Sequence, residues 1–198
     1  MTTARYLTQT ALIERGWTRT LIGKYLPNPT LKPNPRYRSA APMRLWAESD
    51  VLSAESLPEW AADKARSERR KAGATKAVAT KTRATLDRIA EFAASVEVER
   101  VDAATLEWLV RSDRLQKDLT GYGDGYDSAP DATRDRWAVN LIRHRLTSYD
   151  EGLYNLIGQV GRDAAYVALK NEVLRKIADV YPWLSDECNR QRIHTNDV

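Results

Sequence analysis

Residues 8–46 read TQTALIERGWTRTLIGKYLPNPTLKPNPRYRSAAPMRLW and contain the pattern that decides the fold of the N-terminal part of the chain. Apolar residues recur at helical spacing on both sides of Gly16, and glycine tolerates the positive φ that ends a helix and turns the chain. Thr8 and Thr18 stand where hydroxyl side chains cap helix N-termini. The stretch therefore predicts two short helices joined by a tight turn, the second ending before Pro27.

Prolines and basic residues dominate the sequence after the second predicted helix. Four prolines between residues 27 and 35 predict an extended loop without regular structure, because proline fixes φ and lacks a backbone N–H. Residues 36–46 then alternate as strands do, with Met43 and Leu45 facing inward. This alternation predicts a short β-hairpin that turns its arginines outward.

The exposed side of this predicted module is rich in long cationic side chains. A helix with such a side fits the DNA major groove, which is about 12 Å wide, and a basic hairpin beside it contacts phosphates. We expect the second helix to read the groove and the loop and hairpin to hold the backbone. The candidate groove-reading residues are Arg19, Thr20 and Lys24, and the candidate backbone-binding residues are Lys32, Arg36, Arg38 and Arg44.

The same stretch resembles the winged helix-turn-helix group that includes phage excisionases and MerR-type regulators. In that group the second helix follows a tight glycine turn and precedes a basic hairpin. Leu12, Gly16 and Ile22 have the spacing of its core and turn positions, and the resemblance covers about a fifth of the chain. It implies a double-stranded DNA partner. The residues that it places at the start of the DNA-reading helix are Thr18, Arg19 and Thr20.

The remainder of the chain predicts helices. No proline follows Pro58 until well beyond Val96, which predicts one long helix or two collinear helices. Between Lys64 and Arg88 this stretch carries nine basic residues and only two acidic ones. This run is either a solvated connector or an arm along phosphates, with Lys64 to Arg83 adding non-specific attraction. Strong 3.6-residue periodicity after it predicts a helical bundle. The expected fold is mainly α, with domains 1–57, 58–97 and 98–198.

Charge is distributed unevenly between the two halves. Residues 1–88 carry 17 Lys and Arg against 8 Asp and Glu, whereas residues 89–198 carry 14 against 19. The basic half is therefore the expected polyanion-binding part. Aromatic residues of the bundle are expected mainly in its core, with some at a homodimer or partner interface. They are Trp108, Trp137, Tyr149, Tyr154, Tyr166, Tyr181 and Trp183.

Composition limits both the cellular compartment expected for this protein and the chemistry that its residues can perform. A single cysteine, Cys188, excludes a disulfide framework within one chain, and no segment has the length and apolarity of a membrane span. We expect a cytoplasmic protein without membrane contact. Phosphate-cradling, zinc-protease and serine-hydrolase motifs do not occur, so no cofactor, metal ligand or catalytic residue is assigned.

Two other functions stay open at this stage. One is a protein-interaction adaptor whose acidic bundle binds a partner and whose N-terminal module is a structural cap. The other is a metal-assisted, nuclease-like enzyme that uses His144, Asp150 and the glycine-rich loop at 121–131. Its aspartates lack the dense spacing of a calcium loop, so a surface connector explains the loop better.

Overall fold

The chain is mainly helical with one small antiparallel sheet, as a computed structural model describes it for residues 5–34, 41–119 and 125–193. Its contacts divide it into two units, with the boundary inside a long helix between Ala77 and Val78. The domain boundaries predicted at residues 57 and 97 stay predictions. The first unit contains β1 (Tyr6–Thr8), α1 (Gln9–Glu14), α2 (Arg19–Tyr25), β2 (Thr30–Lys32), β3 (Met43–Ala47), α3 (Glu48–Glu55) and the start of α4 (Pro58–Ser95).

Side-chain caps and one glycine produce the turn between α1 and α2. The hydroxyls of Thr8 and Thr18 accept hydrogen bonds from the backbone N–H groups of Ala11 and Leu21, each at 3.2 Å. Gly16 has φ +95°, the conformation that a side chain disfavours. Both predicted caps and the predicted glycine turn are therefore confirmed. The core beneath them comprises Leu12, Trp17, Leu21, Ile22, Leu26, Trp46, Val51, Ala54 and Trp60.

The sheet has the order β1-β3-β2, and both pairings are antiparallel. Strand β3 is central, with Trp46 opposite Leu7 on one side and Arg44 opposite Leu31 on the other. The predicted loop without regular structure is wrong at Thr30–Lys32, which forms the first hairpin strand. These three residues contain no proline, and the prolines that flank them favour the extended backbone that a strand needs.

The second unit packs the end of α4 with the remaining helices. Buried residues of α8 lie at its centre and show no exposed surface, namely Ala165, Leu169, Val173, Leu174 and Ile177, as their helical spacing predicts. Its elements after α4 are α5 (Ala103–Leu119), α6 (Asp131–Arg145), α7 (Tyr149–Tyr154), α8 (Arg162–Val180), a 3₁₀ turn (Pro182–Leu184) and α9 (Ser185–Ile193).

Polar side chains tie the end of α4 to α8. The Lys176 Nζ donates to the carbonyl oxygens of Ala94 and Val96 at 2.6 and 2.7 Å, and so satisfies acceptors that a helix C-terminus leaves open. The Tyr181 hydroxyl accepts from the Val101 N–H at 3.0 Å and donates to the Glu99 carbonyl oxygen at 2.7 Å. The segment after α4 is thereby held against the core.

The expectation that most bundle aromatics lie in the core is wrong. Helical periodicity identifies a face but does not show whether a neighbouring helix covers it. Trp137, Tyr149 and Tyr181 are buried, whereas Trp108, Tyr154, Tyr166 and Trp183 are exposed.

We expect Gly152→Ala to destabilise the second unit by about 1–3 kcal/mol, the range for overpacked cores. A Cβ at this position would lie 2.6 Å from Cε1 of Phe92 and 2.7 Å from Cδ2 of Leu169. The matched control is Gly73→Ala, which meets no atom within 4 Å inside α4 and should gain about 1 kcal/mol from helix propensity. Urea unfolding followed by circular dichroism measures both, and a neutral Gly152→Ala would contradict the packing.

Candidate nucleic-acid interface

Helix α2 presents two adjacent side chains of the predicted set to solvent. Arg19 and Thr20 are exposed, while the next two residues, Leu21 and Ile22, are buried and anchor the helix. Thr18 lies at the helix start, where its hydroxyl accepts the capping hydrogen bond. Thr18 therefore has a structural role, and Arg19 and Thr20 are the residues available for groove contacts.

Lys24 is engaged within the protein. Its Nζ lies 2.5 Å from Oδ2 of Asp63 and 4.9 Å from the centre of the Tyr25 ring. The Tyr25 hydroxyl donates to the same Asp63 oxygen at 3.0 Å. The hydrogen bond to Asp63 raises the pKa of Lys24, and hydrogen bonds from Lys24 and then Tyr25 lower the pKa of Asp63. This contact joins the end of α2 to α4, and a DNA phosphate would have to compete for the lysine.

The hairpin places its two described cations differently. Arg44 is exposed on β3, on the same face of the strand as Trp46, and both residues line one groove. The Lys32 ammonium on β2 lies 4.7 Å from the centre of the Tyr6 ring, a cation–π distance. Arg36 and Arg38, which the sequence assigns to the same wing, lie outside the described residues.

Two grooves meet at Arg19. One, of about 270 Å³, reaches from Arg19 along α2 to Arg44 on the hairpin. The other, of about 310 Å³, runs from Arg19 past Gly16 to Lys64 and Lys71 on α4. The fold thus brings cations from two other elements, β3 and α4, close to Arg19 on α2. Lys64 and Lys71 are two helical turns apart, so they lie on one face of α4. Their seven-residue spacing was the sequence signal that could have identified them as part of this site.

Charge and hydrogen bonding at Glu55 hold the turn before α2. Arg15 donates to both carboxylate oxygens, at 2.8 and 2.6 Å, and the Trp17 indole N–H donates to Oε1 at 2.8 Å. The hydrogen bonds from Arg15 lower the pKa of Glu55 most, and the Trp17 bond adds to them against the opposing effect of burial. Arg15 is consequently neutralised within the protein and supplies no free charge to a ligand.

Replacing Glu55 should make the first unit less stable at neutral pH. Glu55→Gln keeps an acceptor for Trp17 but loses the ionic contact, so we expect a loss of about 1–2 kcal/mol at pH 7. The carboxyl pKa is lower in the folded protein, so this contribution is present above the unfolded pKa of about 4.3 and disappears as pH falls through the folded pKa.

The measurement is urea unfolding of wild type and Glu55→Gln at several pH values. The two free energies of unfolding should converge as acid protonates Glu55. Glu14→Gln serves as the matched control because its side chain is exposed on the neighbouring helix. A difference that persists unchanged into acid would show that the ionic contact with Arg15 is not the cause.

The polar cluster proposed for an enzyme exists only in part. The Nδ1 atom of His144 lies 2.6 Å from Oδ1 of Asp150, and its ring packs edge-on against Tyr149. Among residues 5–34, 41–119 and 125–193, no three His, Cys, Asp or Glu side chains are placed to share a metal ion. Asp127 pairs with Arg111 at 2.9 Å, and Asp124 lies outside the described residues.

Cys188 also offers no reactive group, because burial raises the pKa of its thiol to about 12.

Comparison with protein-family models, curated proteins and solved structures finds no match to this chain. Within the described residues, every helix is too short or too polar to cross a membrane.

Proposed function

We propose that this protein is a cytoplasmic, sequence-preferring regulator that binds double-stranded DNA through its first unit. Helix α2 enters the major groove, where Arg19 and Thr20 contact base edges. Arg44 and Lys32 on the hairpin contact the phosphate backbone, together with Arg36 and Arg38. The exposed guanidinium of Arg19, which has no acidic partner among the described residues and shares a groove with Arg44, is the observation that carries this proposal.

The order of elements around α2 supports this proposal. A strand leads into the two helices and pairs with the far strand of the hairpin that follows them. Such a sheet braces the hairpin beside the second helix. The order of two helices, a glycine turn between them and a following hairpin is what the resemblance to winged helix-turn-helix proteins implies. One helix can then lie in a groove while the hairpin reaches the adjacent backbone.

The distribution of ion pairs also supports it. In the described part of the chain, Arg19, Arg44 and Lys71 have no acidic partner, whereas Arg15 and Lys24 do. Unpaired guanidinium and ammonium groups bind DNA without first losing an internal contact. The free cations extend along the two grooves from Arg44 through Arg19 to Lys71, so they are spread over a surface, as contacts with a DNA duplex require.

The middle of α4 adds non-specific attraction. Residues 68–81 of this helix are all exposed, and they include Arg69, Arg70 and Lys71. Such a row of solvated cations strengthens binding to any duplex in a strongly salt-dependent way. It contributes affinity and association rate, while sequence preference comes from α2.

A protein-interaction role for the second unit has separate support. Trp108, Tyr154 and Trp183 are 64%, 75% and 56% exposed, and aromatic side chains are enriched where proteins bind one another. In the proposed regulator, the second unit can therefore form a homodimer contact or bind a protein partner. The adaptor alternative differs in that it predicts no DNA binding by the first unit.

The first test asks whether removing the Arg19 and Thr20 side chains abolishes the preference for a particular DNA sequence. A preferred duplex is selected from random DNA with the wild-type protein, and Arg19→Ala/Thr20→Ala is then compared with Arg162→Ala, which removes an exposed arginine from the second unit. Affinity of the double variant for the selected duplex should fall about 10–100-fold, because a base contact is worth about 1–3 kcal/mol.

Affinity for unrelated duplexes should change far less, and the Arg162→Ala control should keep the preference. A double variant that still prefers the selected duplex would exclude α2 as the reading helix. A wild-type protein that selects no sequence and shows no salt-dependent retention would favour the adaptor.

The second test separates backbone contacts from base contacts. Lys32→Ala/Arg44→Ala should weaken all duplexes alike and reduce the slope of log affinity against log salt by about 2, because each phosphate contact contributes about 0.9. Sequence preference should stay intact. Fluorescence anisotropy across a salt series measures this, and an unchanged slope would remove the hairpin from the interface.

A further inference from the structure

A further cationic groove lies in the second unit, between α5 and α6. Its volume is about 540 Å³, and its polar lining includes Asp113, Arg114, Lys117, Arg136 and Arg145. This size is within the range of small-molecule sites, about 300–1,000 Å³. We propose that the α5/α6 groove, defined by these five residues, binds a small molecule that carries a di- or triphosphate group.

Charge is the first argument. Four cations face one carboxylate across this groove, even though the second half of the chain is acidic as a whole. Gathering like charges around one cavity costs electrostatic free energy that an anionic ligand offsets. The excess of three positive charges matches a ligand with two to four negative charges, which is what a di- or triphosphate carries.

Asp113 organises the cations without neutralising them. Its carboxylate accepts from Lys117 at 2.7 Å and from Arg145 at 3.0 Å, and it lies 3.5 Å from Arg114. The Asp113 side chain is only 14% exposed. Burial acts to raise its pKa, but Lys117, Arg145 and Arg114 together bring the pKa below its usual range. One ionised carboxylate thus holds three cations in place.

Two arginines of the groove have N–H groups with no acceptor among the described residues. The Arg136 guanidinium is exposed and, in the described part of the chain, has no ion-pair partner. Arg114 lies over the Trp137 ring at 4.8 Å, and its buried Nε lacks a hydrogen-bond partner within the described residues. A guanidinium has five N–H donors in a planar fork, and phosphate oxygens accept from such forks in pairs.

Spacing explains how the groove forms. Arg136 and Asn140 lie one turn apart on α6, and Asp113 and Lys117 lie one turn apart on α5, so each helix turns one polar edge toward the same cavity. The cations converge on a concavity. Duplex DNA is bound instead by cations spread along a surface that follows its backbone, which favours a compact ligand here.

This inference does not rest on the proposed DNA binding. None of the residues assigned to DNA lines the α5/α6 groove, and the groove belongs wholly to the second unit. Either proposal can fail alone. Arg19→Ala/Thr20→Ala should therefore leave phosphate binding unchanged.

The test is isothermal titration calorimetry of the full chain with inorganic pyrophosphate and with ATP, at constant ionic strength. Wild type should bind at least one probe saturably. Arg136→Ala should weaken that binding about tenfold, as expected for loss of one charge-assisted contact, and Arg136→Lys should retain most of it. Arg162→Ala removes the same charge outside the groove and should have no effect.

Three results would overturn the proposal. The first is no saturable binding of either probe at millimolar concentration. The second is equal weakening by Arg136→Ala and Arg162→Ala, which would indicate non-specific charge attraction. The third is Arg136-dependent binding of a short single-stranded oligonucleotide but of neither small probe, which would make the ligand a nucleic acid. Circular dichroism of each variant verifies that the fold is intact.

Discussion

The first unit depends on the contacts that Arg15 and Trp17 make with Glu55, about 40 positions further along the chain. Two charged hydrogen bonds and one indole hydrogen bond converge on a single carboxylate that is mostly shielded from water. They hold both sides of the Gly16 turn against α3. Helix α2 begins two residues after Trp17, so its direction follows from this contact as well as from the buried Leu21.

Internal ion pairs decide which cations are available to ligands. Arg15 and Lys24 are committed to Glu55 and Asp63, and both contribute to holding the first unit together. Among the described residues, Arg19 and Arg44 have no acidic partner and line the same groove, and in the second unit Arg136 has none while its neighbours share Asp113. Net charge alone indicated only the basic half as anion-binding. The cations that have no acidic partner among the described residues instead mark two separate surfaces, one around Arg19 and one at the α5/α6 groove.

Local signals predicted much of this structure. The threonine caps, the turn at Gly16, the long helix after Pro58 and the buried face of α8 all follow from residue type and spacing. The strands β1 and β2 escaped prediction, since three-residue strands have too little periodicity of their own. They exist because β3 supplies hydrogen-bonding partners on both edges, and this pairing depends on residues distant in sequence.

By itself, the sequence determined where helices begin and end and which side chains seek a core, because capping, glycine conformation and 3.6-residue periodicity act within a few residues. Only the tertiary structure decided that Lys24 meets Asp63, that Arg19 and Arg44 share a groove, and that Asp113 gathers three cations. Those pairings join elements far apart along the chain. Their energies depend on distances that exist only after the helices and strands have packed.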